Sequence, residues 1–336
     1  MGRLYQLDAL RGIAALMVVV FHFFYHYDSK YGHSFAVFEW VHLGKTGVYL
    51  FFIISGFVIF WTLSRSDRPM DFIFSRFSRL YPPFWVAVIL TFSFTSLIGP
   101  ENRVVSWEAL VANLTMFHEY FGYPHVDGVY WTLSIELAFY ILSLLAFFLG
   151  LLRFADSVCL VWLSISFFSA LSGLDFGILD KALLLKYNLL FVLGIAFYRY
   201  WSGQGKAMPL LCISVSIVLA FVRFPLDEAV TIVIWVGLFS MIISGRLMWL
   251  NQSLLIWLGS ISYSLYLIHQ NIGYGIIELG YRYDLTPLIS ITFALLVSFL
   301  GAQIITSYVE RPSLALLRSW YKDRKKSIKP GVVDGV

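Results

Sequence analysis

The stretch Leu7-Asp8-Ala9-Leu10-Arg11-Gly12-Ile13-Ala14-Ala15-Leu16-Met17-Val18-Val19-Val20-Phe21-His22-Phe23-Phe24-Tyr25 decides how the rest of the chain is read. From Ala9 on it is apolar or aromatic except for Arg11 and His22, and it is long enough to cross a bilayer. Ionisable side chains inside such a segment are expensive and are kept for a function. Eleven residues separate the two, and steps of ~100° bring them back to one helix face within ~20°. Asp8, three residues before Arg11, shares that face. At ~1.5 Å per residue, His22 stands ~16 Å beyond Arg11 along one polar seam.

The whole composition repeats this pattern. Hydrophobic residues make up 59% of the 336 and charged residues 13%, with mean hydropathy +0.78. Soluble domains average about 25% charged, so an ordinary soluble globule is excluded. Much of the 18% aromatic content flanks apolar runs, as in Tyr81-Pro82-Pro83-Phe84-Trp85, where Tyr and Trp anchor at a membrane interface. Cys159 and Cys212 each lie within an apolar run and read as small buried hydrophobes. The first apolar stretch follows an Asp and an Arg and has no small-residue cleavage site, so it is expected to remain as the first span.

Apolar runs cover 9–25, 44–63, 80–98, 129–149, 157–171, 183–200, 209–222, 230–244, 254–277 and 287–309. The expected fold is all-α, a polytopic membrane bundle of about ten transmembrane helices. Residues 1–312 form one transmembrane domain, and 313–336 a basic cytoplasmic tail. Alternate connections collect seventeen of the 24 Lys and Arg on one side, including Arg65, Arg68, Arg76, Arg79 and the tail. The other seven are Lys30, Lys45, Arg103, Lys181, Lys186, Arg223 and Arg282. The positive-inside rule then puts both termini in the cytoplasm, as an even number of spans requires.

Further ionisable residues fall within the spans. Glu136 lies near the start of the fourth, roughly 9 Å below the outer surface, against roughly 12 Å for His22. Matched depth on different helices leads to the expectation of a hydrogen-bonded acid–imidazole pair. Arg76 and Arg79, three apart, share a helix face and can grip a phosphate; on spacing alone, anchoring by the positive-inside rule is the favoured reading. Ser260 to His269 puts hydroxyls and a second His in the ninth span, where Ser and Tyr usually bond neighbouring helices. Neither a metal site nor a nucleic-acid partner is expected.

Leu7 to Ala15 with His22 resembles the R-x10-H motif of the acyltransferase-3 family of integral membrane acyltransferases. Five later stretches are similar to the family's other signatures, in the family's order. They are Phe51-Phe52-Ile53-Ile54-Ser55-Gly56-Phe57, Arg76-x-x-Arg79-Leu80-Tyr81-Pro82, Trp131-Thr132-Leu133-Ser134-Ile135-Glu136, Ser262-Tyr263-Ser264-Leu265-Tyr266-Leu267-Ile268-His269 and Val309-Glu310-Arg311-Pro312. The resemblance implies transfer of an acyl group, commonly acetyl, from cytoplasmic acyl-CoA to a hydroxyl of a carbohydrate or another envelope or secreted molecule. It also implies a bacterial cytoplasmic (inner) membrane. Many relatives carry an SGNH-type hydrolase domain after the bundle; this chain is expected to be the bundle alone.

On that basis Arg11, Arg76 and Arg79 are expected to hold acyl-CoA, the co-substrate, with no bound cofactor. His22 is the expected general base, because an imidazole with pKa ~6.5 suits proton removal at neutral pH. Glu136 would fix its tautomer, or help protonate the leaving thiolate. Trp131, Asp127 and His269 are expected at the acceptor, which a polysaccharide, a lipid-linked glycan or a small secreted metabolite all satisfy. Membrane lipid surrounds the bundle, and a homodimer is compatible with the sequence but not required by it. The rival class is a proton-coupled transporter of a small solute, because intramembrane His and Glu also build proton relays. The lack of detectable inverted repeats counts against it.

Overall fold

A computed structural model describes residues 4–66, 68–174 and 176–327. Arg3 and Lys329, both counted in the orientation, lie outside them, as do the last residues of the basic tail. The described chain is helical, and ten helices coincide with the ten expected spans. They are α1 (Tyr5–Val20), α2 (Gly47–Leu63), α3 (Pro69–Leu97), α4 (Trp131–Phe148), α5 (Ala155–Ser172), α6 (Asn188–Trp201), α7 (Ala207–Arg223), α8 (Leu226–Ile243), α9 (Ser253–Arg282) and α10 (Pro287–Ile305). A last helix, α11, covers Arg311–Ser327.

Among the described residues, seven helical segments are long and apolar enough to cross a membrane. They contain α1, α2, α3, α4, α5, α8 and α10, and the protein is an all-α polytopic membrane bundle. The other three depart from that pattern for physical reasons. α6 and α7 are short, and α6 is buried without interruption from Asn188 to Tyr198, so protein rather than lipid surrounds it. α9 is long but carries polar side chains, and Ser262, Ser264, His269, Gln270 and Asn271 all point into protein.

α9 packs against α1, α3 and α10, while α2 packs against α1, α4 and α6. Glycine sets both tight crossings. A Cβ on Gly259 would stand 2.0 Å from the Asp8 carbonyl of α1, and one on Gly194 of α6 would stand 2.0 Å from the Ile53 carbonyl of α2. Small residues at such crossings let backbones approach, which is how membrane helices gain packing energy without a hydrophobic drive.

Two π-helical turns interrupt the regular geometry, Phe21–His26 at the end of α1 and Thr306–Glu310 after α10. Such turns are rare and gather at functional sites. α3 starts eleven residues before the expected span, at Pro69, and keeps Pro82 and Pro83 within it. Each proline removes an amide donor from the helix ladder, at the carbonyls of Ser78 and Arg79. The tail does not hang free. Tyr321 of α11 stacks on Phe74 of α3 at 4.5 Å, and Lys325 bridges to Asp71 at 2.8 Å.

Candidate active site

Arg11, Arg76 and Arg79 converge on one cavity of about 80 Å³, although they come from two helices far apart in sequence. Glu136 of α4 enters the same cavity. It accepts from Ser55 of α2 at 3.0 Å and from the Tyr140 hydroxyl one turn further along α4. Arg11 lies 3.7 Å from Asp8. Arg76 rests over the Phe72 ring at 5.9 Å, and its Nε is buried with no hydrogen-bond partner among the described residues. Three guanidinium groups stand against Glu136 and, beside Arg11, Asp8, and with a donor left over they suit an anion.

The expected hydrogen bond between His22 and Glu136 is not formed. Glu136 turns to Ser55, Tyr140 and the arginine cavity, whereas His22 turns to α9. The two helices present the residues in different directions. His22 instead meets His269, expected at the acceptor. His269 Nε2 lies 3.1 Å from His22 Nδ1, with ring centroids 4.9 Å apart. His269 Nδ1 faces the carbonyls of Leu265 at 3.1 Å and Tyr266 at 2.9 Å, so it carries the proton and leaves Nε2 as an acceptor. His22 Nδ1 also faces the Val18 carbonyl at 2.8 Å. With an acceptor on each contact, Nδ1 of His22 is the protonated nitrogen, and its Nε2 keeps a lone pair.

His22 borders a second cavity, of about 590 Å³, which shares no lining residue with the arginine cavity. Trp131 borders it too, and also a third cavity of about 850 Å³. His26, one turn after His22 through the π turn, bonds the Tyr274 hydroxyl at 2.6 Å. Tyr140, Tyr274 and Gln270 were not singled out in the sequence; Tyr140 was legible as the i+4 neighbour of Glu136.

Asp127 does not open into either outer cavity. It is fully buried and accepts from the backbone of Val129 at 3.2 Å and of Asn271 at 3.0 Å. The Tyr130 hydroxyl donates to the Leu267 carbonyl at 3.2 Å. Asn271 and Leu267 stand in the i, i−4 relation of the helix ladder, so the start of α4 is stitched into the middle of α9. Burial pushes the Asp127 carboxyl up to about 6 against the pull of those two amides. It is an anchor that ties the start of α4 to α9, not an acceptor contact. In the same connection burial lowers His118 to about 4 beside His125, to which it is bonded at 2.6 Å.

An arginine cavity and a separate, wider cavity bordered by His22, both set within one apolar helix bundle, fit an integral membrane enzyme. A family model described as an acyltransferase domain matches residues 4–307, and the chain belongs to that family, acyltransferase-3. It is a membrane acyltransferase. The chain is 29% identical to the exopolysaccharide production protein ExoZ of Rhizobium meliloti (strain 1021), over 73% of this chain and 80% of that one. It is 31% identical to the acyltransferase MdmB of Streptomyces mycarofaciens, over 41% of this chain and 38% of that one. With the peptidoglycan O-acetyltransferase OatA of Listeria monocytogenes the identity is 26%, over 41% and 23% of the respective chains. The chain thus spans less than half the length of the last two. No solved structure matches it.

Proposed function

We propose that this protein moves an acyl group, acetyl in the simplest case, from cytoplasmic acyl-CoA to a hydroxyl of a carbohydrate acceptor on the other side of the membrane. The observation that carries the reading is the tautomer of His22, which leaves the lone pair on Nε2 of a ring that borders the wider cavity. The bound acceptor gives its hydroxyl proton to that nitrogen as its oxygen attacks the thioester carbon. The C–O bond forms, the C–S bond breaks, and the thiolate leaves as coenzyme A after taking a proton from the imidazolium. Arg11, Arg76 and Arg79 bind the phosphates of the donor, in keeping with the unpartnered Arg76 Nε. Glu136 orients those arginines. The names of ExoZ and OatA support a polysaccharide or peptidoglycan acceptor, and the excess of Lys and Arg on the arginine-cavity side supports a cytoplasmic donor.

The test is transfer of radiolabel from acetyl-CoA to extracted surface glycan by membranes containing wild type or His22→Ala. The variant is expected to accumulate normally and to lose transfer by about a thousandfold or more. Wild-type rates at normal protein levels would end the assignment of His22 as base. Uptake of a soluble solute without label transfer would favour a transporter.

A further inference from the structure

The positive-inside rule leaves few cations for the outer side, and their distribution here is uneven. Of the seven Lys and Arg assigned outside, Lys30, Lys45 and Arg103 border the cavity beside His22. Lys181, Lys186 and Arg223 border the larger one, and Trp131 borders both. Random retention would scatter these charges over the outer connections. Instead six of the seven face two adjoining cavities on either side of one aromatic residue.

Their neutralisation is incomplete. Lys45 pairs with Glu228 at 2.6 Å and Lys181 with Glu119 at 3.1 Å. Asp180 lines the larger cavity, where it accepts from Ser169 and from the backbone of Phe176. The cavity beside His22 has no Asp or Glu among its lining residues. Arg103 there bonds the Tyr31 hydroxyl at 3.0 Å and lies 5.5 Å from the Tyr274 ring centre. Its acidic neighbour Asp127 is sealed by two backbone amides.

A second kind of observation points to a ligand. Gln270 lines the cavity beside His22, is only 3% exposed, and its Oε1 has no hydrogen-bond partner among the described residues. Buried polar atoms are nearly always satisfied, so an orphan facing a cavity marks where a ligand's polar group belongs. Trp131 and Tyr187, 5.6 Å apart, give the vestibule an aromatic wall of the kind that stacks on a sugar face. A neutral sugar needs the wall and the amide but has no use for the cations.

We propose that this vestibule selects an acceptor bearing an anionic group, a sugar carboxylate or a sugar phosphate, close to the hydroxyl that is acylated. The inference rests on the acyl-transfer reading. The cations draw in the anion and hold it, and Gln270 takes a neighbouring hydroxyl.

The full chain in detergent would be titrated with trigalacturonate, glucose 1-phosphate and neutral maltotriose, followed by tryptophan fluorescence. At least one anion is expected to bind about tenfold more tightly than maltotriose in low salt, with the preference collapsing near 0.5 M salt. Trigalacturonate alone would assign a carboxylate, and glucose 1-phosphate alone a phosphate. Lys30→Gln with Arg103→Gln should remove the preference while leaving maltotriose binding and the thermal midpoint unchanged. Equal binding of all three sugars, no binding of either anion, or an unaltered preference in the double variant would overturn the proposal. His22→Ala separates the two readings, because it should keep the anion preference while losing label transfer. Wild-type transfer to a neutral glycan, indifferent to the double variant, would overturn the anionic acceptor and leave the transferase intact.

Discussion

At the scale of single residues, the site turns on which nitrogen of His22 holds its proton. His269 and the Val18 carbonyl both demand a donor from Nδ1, so the lone pair falls on Nε2, the proposed base, without help from a carboxylate. In the proposed mechanism His269 is a positioning residue. His269→Phe is expected to lower kcat about 10- to 100-fold with the KM for acyl-CoA unchanged, and His269→Gln, whose amide oxygen can accept, to recover part of the loss. A wild-type kcat in His269→Phe, from steady-state label transfer, would remove the role. Arg11 and His22 were readable as one seam because a single helix fixes both height and direction between its own residues. Glu136 and His269 were not, because sequence gives their depth in a span but not the rotation of one helix against another. Glu136 was thus joined to the wrong partner, and the contact of His269 with His22 was missed.

At the scale of elements, the crossings of α1 with α9 and of α2 with α6 hold the two walls of the site at a fixed distance. Gly194→Leu would push a branched side chain into the backbone of α2 at Ile53. Overpacking of a tight contact costs about 1–3 kcal/mol where neighbours can shift, and here the obstacle is backbone. The expected result is a sharp fall in folded protein, measured by thermal unfolding in detergent, with no selective loss of donor or acceptor binding. A normal midpoint would mean that the crossing is looser than the carbonyl contact indicates. All ten helices were legible from apolar runs and turn residues. The early start of α3 was not, because Asp71, Arg76 and Arg79 interrupt the apolar pattern before residue 80, whereas the helix runs through them and packs against α9. The π turns carry no sequence signal of their own; they come from tertiary demands on His22 and Glu310. Glu310 accepts from Ser264 of α9 at 3.1 Å, which ties the end of α10 back into the bundle.

At the scale of the whole molecule, charge and cavities follow α1, from three arginines around Arg11 to the cation-lined cavity that His22 borders. The basic tail belongs to this arrangement, because α11 clasps α3 through Tyr321, Lys325 and Asp71 just below Arg76 and Arg79. Asp71→Ala should loosen that clasp and raise the KM for acyl-CoA about three- to tenfold with kcat nearly constant. An unchanged KM would reduce α11 to a membrane anchor. Composition alone revealed the membrane and the crowding of cations into the tail. It could not reveal that six outer cations gather around Trp131, since that depends on how connections distant in sequence fold over the bundle.

The contact between His22 and His269 joins residues 247 positions apart. A ribosome working at about 5–20 residues per second needs about 12–50 s to travel from one to the other. For most of that interval the imidazole of the first span has only the Val18 carbonyl of its own helix at Nδ1. Under the acyl-transfer reading, a growing chain therefore completes its proposed base only when its ninth helix arrives.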